Sequence, residues 1–350
     1  MLFEWWKFLV KEIEIDKENC LRKYNYLNCK DCLTVCSKEA ITLNSDDVAI
    51  NKEKCTLCGL CRTMCPVGAI KYDYKPYGFT KGEDFFYLCE ASVQKGYSSC
   101  LGWLDIGQIL SAFSKEQINR VVLSPGDCQQ CFSEVIGELE KKVNTCSEIL
   151  SHFRKDKKIV IEALSKNSFD RQEILNFFKD KVFYNLKNEV LSPILERFNY
   201  KNKRQLLVAL KSLGEIEDEW VESCLLPWGE LEIDSNKCDF CGTCFKLCPS
   251  GSLFLKEENE SSYIFQKPSE CSKCNLCVEV CDKNALSFLP KNNLKEFIEE
   301  KEKLLVSRVK KECLGCNSSF IDSLENEICI NCRNNKILGE DIKELMGSIC

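Results

Sequence analysis

Residues Cys238-Asp-Phe-Cys241-Gly-Thr-Cys244-Phe-Lys-Leu-Cys248-Pro249 set three thiols on one tight loop and carry a fourth away from it. Three thiolates so spaced match three corners of a 4Fe–4S cubane. The same run recurs as Cys55-x2-Cys58-x2-Cys61-x3-Cys65-Pro66 and as Cys271-x2-Cys274-x2-Cys277-x3-Cys281. Gly59 and Gly242, directly after the second Cys, are expected to let the backbone approach inorganic sulfur closely. Pro66 and Pro249 turn the chain after the fourth thiol. Four tails also end alike: Cys36-Ser-Lys-Glu-Ala-Ile41, Cys65-Pro-Val-Gly-Ala-Ile70, Cys248-Pro-Ser-Gly-Ser-Leu253 and Cys281-Asp-Lys-Asn-Ala-Leu286. An internal repeat arranged as two pairs predicts two small domains, each built from two halves.

Twenty-seven cysteines and a single histidine in 350 residues restrict the chemistry. A chain of this length folds without disulfides, so Cys at tight, repeated spacing reads as thiolate–metal binding. The lone His152 excludes mixed Cys/His sites and reads as a surface or half-buried residue. A hydrophobic content of 44% is enough to bury two to three cores. The net charge of −6 argues against a nucleic-acid partner. No apolar run reaches the roughly 18–20 residues of a membrane span. The opening stretch carries Glu4 and Lys7 and no small-residue cleavage site, so it does not read as a signal peptide. The expectation is a cytoplasmic chain with no transmembrane segment.

In runs of this kind the fourth Cys serves the neighbouring cluster. The expected ligand sets are therefore Cys36, Cys55, Cys58 and Cys61; Cys238, Cys241, Cys244 and Cys281; and Cys248, Cys271, Cys274 and Cys277. Cys29, Cys32 and Cys65 form a fourth set, with Cys20 as its last member. Here the pattern departs, because eight residues separate Cys20 from Cys29 where two separate Cys55 from Cys58. Either an enlarged loop delivers Cys20, or Cys20 stands aside and the site holds a three-iron cluster or none. These runs resemble the two-cluster bacterial ferredoxin family over residues 18–75 and 233–290. The resemblance implies two ferredoxin folds whose clusters pass one electron at a time.

Cys313-Leu-Gly-Cys316 and Cys329-Ile-Asn-Cys332, twelve residues apart, have the pair–pair spacing of a structural Zn²⁺ site. The segment resembles zinc-ribbon modules. The metal would staple a segment too small to fold alone; rubredoxin-type iron is the alternative.

The middle alternates strand and helix, the signature of a parallel α/β sheet. Strands are expected at Phe85–Leu88, Val121–Leu123 and Ile159–Ile161. Helical stripes are expected at Ile106 to Phe113, Phe132 to Val143 and Ile174 to Leu186, with a further helix from Lys203 to Leu213 stopped by Gly214. Cys89, Cys100, Cys128 and Cys131 flank the first two strands, so they converge on the carboxyl edge of the sheet, where ligands bind. A thiol at a helix N-terminus there has a lowered pKa. The site reads as a 2Fe–2S cluster, as a redox-active dithiol, or as ordinary buried thiols. Leu88-Cys-Glu90, Ser99-Cys-Leu-Gly-Trp-Leu-Asp105 and Val121 to Cys128 resemble the delta subunit of methyl-viologen-reducing hydrogenases, a resemblance that implies 2Fe–2S. Cys146, Cys224 and Cys350 read as plain thiols.

The expected fold class is α+β multidomain. Two ferredoxin-like dicluster domains (1–80 and 233–290) flank a small parallel α/β domain (84–214), joined by a linker (215–232). An amphipathic helix (291–311), a zinc-ribbon-like module (312–335) and a tail (336–350) follow. No Gly-x-Gly or phosphate loop occurs, so dinucleotide and NTP chemistry are not indicated. No catalytic residue is assigned. The expected function is electron relay through about four 4Fe–4S clusters. The partners would be a redox donor and acceptor, within or beside an anaerobic oxidoreductase complex of hydrogenase or formate-dehydrogenase type. The alternatives are a thiol or heterodisulfide reductase using the middle cysteines, and an assembly factor for a metalloenzyme.

Overall fold

The computed structural model describes residues 13–24, 28–43, 48–71, 78–89, 100–126, 128, 133–153, 156–163, 200–216, 220–222, 226–258, 260–321, 327–329, 331–333 and 335–336. The chain divides into two compact units: Met1–Pro227 with Asn293–Glu299, and Trp228–Asn292 with Glu300–Cys350.

In the first unit, β1 (Glu14–Ile15), β2 (Ile41–Leu43), β3 (Val48–Ile50) and β4 (Ile70–Lys71) make two antiparallel ribbons, β1 with β4 and β2 with β3. Helices α1 (Asp31–Thr34) and α2 (Leu60–Met64) are one turn each and carry cysteine loops. The aliphatic residues of the tails, Ile41 and Ile70, are buried, which explains why an aliphatic residue recurs at a fixed distance after each Cys.

Within the same unit, β5 (Gly78–Lys81), β6 (Asp84–Leu88), β7 (Arg120–Ser124) and β8 (Lys158–Ile161) form one sheet in that order. The last three are parallel, with Phe86 opposite Val122 and Val122 opposite Val160. The sheet is not wholly parallel as expected. β5 runs antiparallel to β6, because only Gly82 and Glu83 join them and a parallel connection needs a long crossover. Helix α3 (Ile106–Ser111) starts in a capping box between Asp105 and Gln108. Helix α4 (Ser133–Ser151) follows β7, and α5 (Tyr200–Leu213) ends at Gly214 with φ +99°. The helical stripe expected at Ile174 to Leu186 lies outside the described residues. The stretch expected as a linker carries β9 (Trp220–Glu222).

The second unit contains β10 (Leu231–Ile233), β11 (Leu253–Glu258), β12 (Ser261–Gln266), β13 (Leu286–Phe288) and, at its edge, β14 (Lys291–Asn293), followed by β15 (Lys303–Glu312) and β16 (Ser319–Ile321). β10 pairs antiparallel with β13, and the four-stranded sheet runs β11-β12-β15-β16. One-turn helices α6 (Thr243–Lys246) and α7 (Leu276–Glu279) carry its cysteine loops. Leu231, Leu253, Ile264, Leu286 and Val306 form the core. The fully buried Glu230 is paired with Lys303 at 3.0 Å, so its charge is not left uncompensated.

The amphipathic helix expected over 291–311 is corrected. Only α8 (Leu294–Ile298) is helical. Glu300 takes φ +55°, which breaks the helix, and Leu304 and Leu305 lie on β15, a ten-residue strand paired with β12.

Candidate functional site

Three of the four cysteine runs open on one local geometry. Before the first Cys stands an Asx residue whose side chain folds back on the chain ahead. Asp16 Oδ1 accepts from the N–H of Glu18 (3.0 Å) and of Asn19 (3.3 Å). Asn51 Oδ1 accepts from Glu53 (2.9 Å) and Lys54 (3.1 Å), and Asp234 Oδ1 from Asn236 (2.9 Å). The backbone carbonyl of the same residue then receives the N–H of the Cys four positions on: Cys20 at 3.0 Å, Cys55 at 2.9 Å, Cys238 at 3.0 Å. In the fourth run Pro268 replaces this turn with a 3-10 turn, and Cys271 N–H donates to its carbonyl at 2.9 Å. Cys20 therefore sits where Cys55 and Cys238 sit in the other copies, and the extra residues after it, which include the fully buried Leu21, are an insertion behind it.

The second, third and fourth loops then need left-handed backbone twice. Leu57 and Gly59 have φ +55° and +82°, Phe240 and Gly242 +60° and +79°, Lys273 and Asn275 +51° and +64°. Gly59 has a second constraint beyond backbone approach, because a Cβ there would lie 2.4 Å from the Trp103 ring.

The small residue of each tail binds the opposite half, and in three tails it also meets a sulfur. The N–H groups of Ala40, Ala69 and Ala285 donate to the sulfurs of Cys36, Cys65 and Cys281 at 3.4, 3.2 and 3.3 Å. The carbonyls of Ala40, Ala69, Ser252 and Ala285 accept from Asn51 (2.7 Å), Asp16 (2.7 Å), Lys267 (2.8 Å) and Asp234 (2.8 Å). Each tail is thus fastened to the start of the other half's loop. That bond brings the fourth Cys of one run beside the first Cys of the other.

The thiols group accordingly. Cys20, Cys29, Cys32 and Cys65 line one cavity; Cys36, Cys55, Cys58 and Cys61 a second; Cys248, Cys271, Cys274 and Cys277 a third. Cys244 lies within electrostatic reach of Cys238, Cys241 and Cys281. Burial, then Asp31 and the neighbouring thiols, pushes Cys29 up to about 12; burial with Cys65 and Cys20 pushes Cys32 to about 11, and Cys244 rises to about 12. Burial likewise raises Cys61 and Cys277. Four such thiols ionise together only when a cationic centre compensates them, so the donor sets fit iron of a 4Fe–4S cluster.

Cys313, Cys316, Cys329 and Cys332 bring their sulfurs within 4.8 Å of one another, a spacing that suits one tetrahedral ion. The N–H of Cys329 (3.1 Å) and that of Gly315 (3.4 Å) point at the Cys313 sulfur and hold its pKa down at about 6. A Cβ on Gly315 would stand 3.1 Å from the Cys332 sulfur.

In the α/β part, Cys89 follows β6 with its N–H on the carbonyl of Ser124 (2.9 Å), and Cys128 follows β7. Cys100 caps the 3-10 helix Leu101–Trp103, its sulfur accepting from Gly102 N–H at 3.5 Å. Its thiol is not lowered by that position. Burial outweighs the hydrogen bond, and with Cys89, Cys58 and Cys128 nearby pushes it up to about 12. Two of the other expected middle cysteines, Cys89 and Cys128, thus lie within electrostatic reach of Cys100, as does Cys58, a neighbour the sequence did not suggest. Cys131, like Cys224 and Cys350, lies outside the described residues. Cys146 is fully buried, and His152 is 6% exposed just beyond α4 rather than on the surface.

The segment after Cys100 docks on the Cys55–Cys61 loop. Trp103 Nε1–H donates to the Leu57 carbonyl at 2.7 Å, and Gly102 packs so closely that a Cβ there would meet the Cys58 carbonyl at 2.4 Å. Lys142 of α4 donates to Thr63 Oγ1 (3.1 Å) and to the Gly102 carbonyl (3.2 Å). Burial lowers its pKa to about 8, against the opposing pull of Asp105 and Glu138.

Comparison with known proteins agrees with this geometry. Residues 48–71 match a 4Fe–4S binding domain and residues 230–282 a 4Fe–4S dicluster domain. An uncharacterised ferredoxin of Methanocaldococcus jannaschii is 32% identical over 57 residues, 16% of this chain and 74% of that protein. A second one from the same organism is 35% identical over 46 residues, 13% and 74% of the two chains. Ferredoxin-3 of Nostoc sp. is 33% identical over 76 residues, covering 17% of this chain and 78% of the relative. The chain belongs to the 4Fe–4S ferredoxin family, and it carries two such domains in a protein several times the length of each match. Among the described residues no helix is long and apolar enough to cross a membrane.

Proposed function

We propose that this ferredoxin-family protein is a multi-cluster electron relay. When bound, 4Fe–4S groups take up and release single electrons. Cys20, Cys29, Cys32 and Cys65 would hold one; Cys36, Cys55, Cys58 and Cys61 a second; Cys238, Cys241, Cys244 and Cys281 a third; and Cys248, Cys271, Cys274 and Cys277 a fourth. The observation that carries this reading is the reciprocal fastening of each tail to the opposite loop, Ala40 to Asn51 and Ala69 to Asp16. It brings four thiols together in the combination that a crossover requires. The tail N–H groups aimed at Cys36, Cys65 and Cys281 also favour charge on those sulfurs. Cys313, Cys316, Cys329 and Cys332 would hold a structural Zn²⁺. The protein works between a redox donor and a redox acceptor, as a subunit or partner of an anaerobic oxidoreductase of hydrogenase or formate-dehydrogenase type.

A second reading concerns the middle cysteines and is favoured by one observation, the presence of Cys89, Cys58 and Cys128 within electrostatic reach of Cys100. They would form a further redox site, either a 2Fe–2S centre or a dithiol that reduces a disulfide substrate fed from the adjoining loop.

Iron, acid-labile sulfide and zinc per chain, measured on anaerobically purified protein, test both readings. The relay requires about sixteen iron and one zinc, with about two more iron for a 2Fe–2S centre. Substoichiometric iron after reconstitution, with zinc in its place, overturns the relay.

A further inference from the structure

The first unit carries a half-buried cation whose hydrogen-bond partners are both neutral. Lys142 projects from α4 into the seam between the Cys55–Cys61 loop and the segment that follows Cys100, and its ammonium ends on two neutral oxygens, Thr63 Oγ1 and the Gly102 carbonyl. Thr63 lies two residues beyond Cys61 and Gly102 two beyond Cys100. Among the described residues Lys142 has no carboxylate within ion-pair distance. Asp105 and Glu138, and after them the thiols of Cys100 and Cys146, act on it only from farther away. Asp105 is itself pushed upward by burial, and its Oδ2 has no hydrogen-bond partner. Arg62, the other cation of this seam, rests its guanidinium on the Trp103 ring 5.7 Å from the centroid. An ammonium withdrawn from water onto two neutral oxygens loses hydration that something anionic nearby would repay.

We propose that Lys142 is a positioning residue for electron transfer, whose charge favours the extra electron on the site held by Cys36, Cys55, Cys58 and Cys61. The inference rests on the cluster reading of those four cysteines. The physics is a point charge in a medium of low dielectric. Reduction adds one negative charge to the thiolate site, and a fixed positive charge nearby lowers the free energy of the reduced state more than that of the oxidised one. Lys142 thereby makes this site a better acceptor than an otherwise equal one without the cation, and draws the electron to the place where the Cys100 segment docks. The two oxygens that hold the ammonium belong to the two sides of that contact, so the charge and the docking are built from the same hydrogen bonds.

The test is an EPR-monitored redox titration of the full-length anaerobic protein as wild type, Lys142→Met and Lys142→Arg, with Cys58→Ser identifying the couple that belongs to this site. In Lys142→Met that couple alone should move to lower potential. At the wild-type midpoint its reduced-to-oxidised ratio should fall about tenfold, or 59 mV for a one-electron couple. Lys142→Arg, which keeps the charge, should hold the ratio within about twofold. Iron content unchanged from wild type in both variants shows that the site still assembles. No movement in Lys142→Met with full iron overturns the proposal, as does an equal movement in Lys142→Arg, which would make the effect one of packing. If instead Cys58→Ser removes no couple and no iron, it is the cluster reading of this site that fails.

Discussion

Asp16 donates its N–H to the carbonyl of Ala69 at 2.7 Å, while its side chain orders the turn that ends at Cys20. Ala69 at the same time donates to the sulfur of Cys65 at 3.2 Å. A single backbone contact therefore couples the irregular start of the first run to the tail of the second, and with it Cys20 to Cys65. Asn51 does the same for Cys55 and Cys36 through Ala40.

The turn at Asp16 should be replaceable by the residue that nature uses next door. Asp16→Asn is expected to keep its iron, since Asn51 performs this role in the second run. Asp16→Ala removes the acceptor for Glu18 and Asn19 and should lower iron by about four per chain. Retention of all iron in Asp16→Ala would detach Cys20 from the site.

Trp103 is expected to hold the docked segment. Trp103→Phe leaves the Leu57 carbonyl without its donor and should cost about 1 kcal/mol in denaturant unfolding. Gly59→Ala drives a methyl into the same ring from a backbone at φ +82°. Its cost should be larger, roughly 1–3 kcal/mol. Equal, negligible losses in both would mean that the loop does not rely on this packing.

How much of this was legible beforehand differs from residue to residue. The spacing of fifteen cysteines of the two dicluster domains, of their four tails and of the zinc-ribbon-like module was plain in the sequence, because ligand spacing is a local property. The strands at Phe85–Leu88, Val121–Leu123 and Ile159–Ile161 were legible from apolar runs bounded by turns, and all three form. Cys20 was ambiguous when judged by its distance to Cys29. The missed signal was upstream: Asp16, Asn51 and Asp234 each stand four residues before a Cys. Leu304 and Leu305 were misread because a short apolar run does not reveal its period; pairing with β12, a long-range contact, decides for strand. The left-handed backbone at Leu57, Phe240 and Lys273 has no signature in those residue types. The proximity of Cys58 to Cys100 is likewise a tertiary fact, invisible to spacing.

The zinc-ribbon-like module should show a bend in its pH dependence. Cys332 is raised to about 12, by the neighbouring Cys316 first, and must lose a proton to bind Zn²⁺ throughout the neutral range. Cys313, held down at about 6, is already a thiolate above that value and becomes a competitor for protons only below it. Log affinity against pH, from competition with a chromophoric chelator, should therefore steepen as pH falls through about 6. A single straight line across that range would contradict the hydrogen-bonded thiolate at Cys313.

Pairing of cysteine substitutions tests the crossover most directly, with iron and sulfide counted on anaerobic protein. Cys65→Ser combined with Cys29→Ser should remove one cluster, about four iron. Cys65→Ser combined with Cys58→Ser should remove two, about eight, although Cys58 and Cys65 lie in the same run. The opposite outcome, eight lost with Cys29→Ser and four with Cys58→Ser, would mean that each run keeps its own fourth thiol, and would contradict the account.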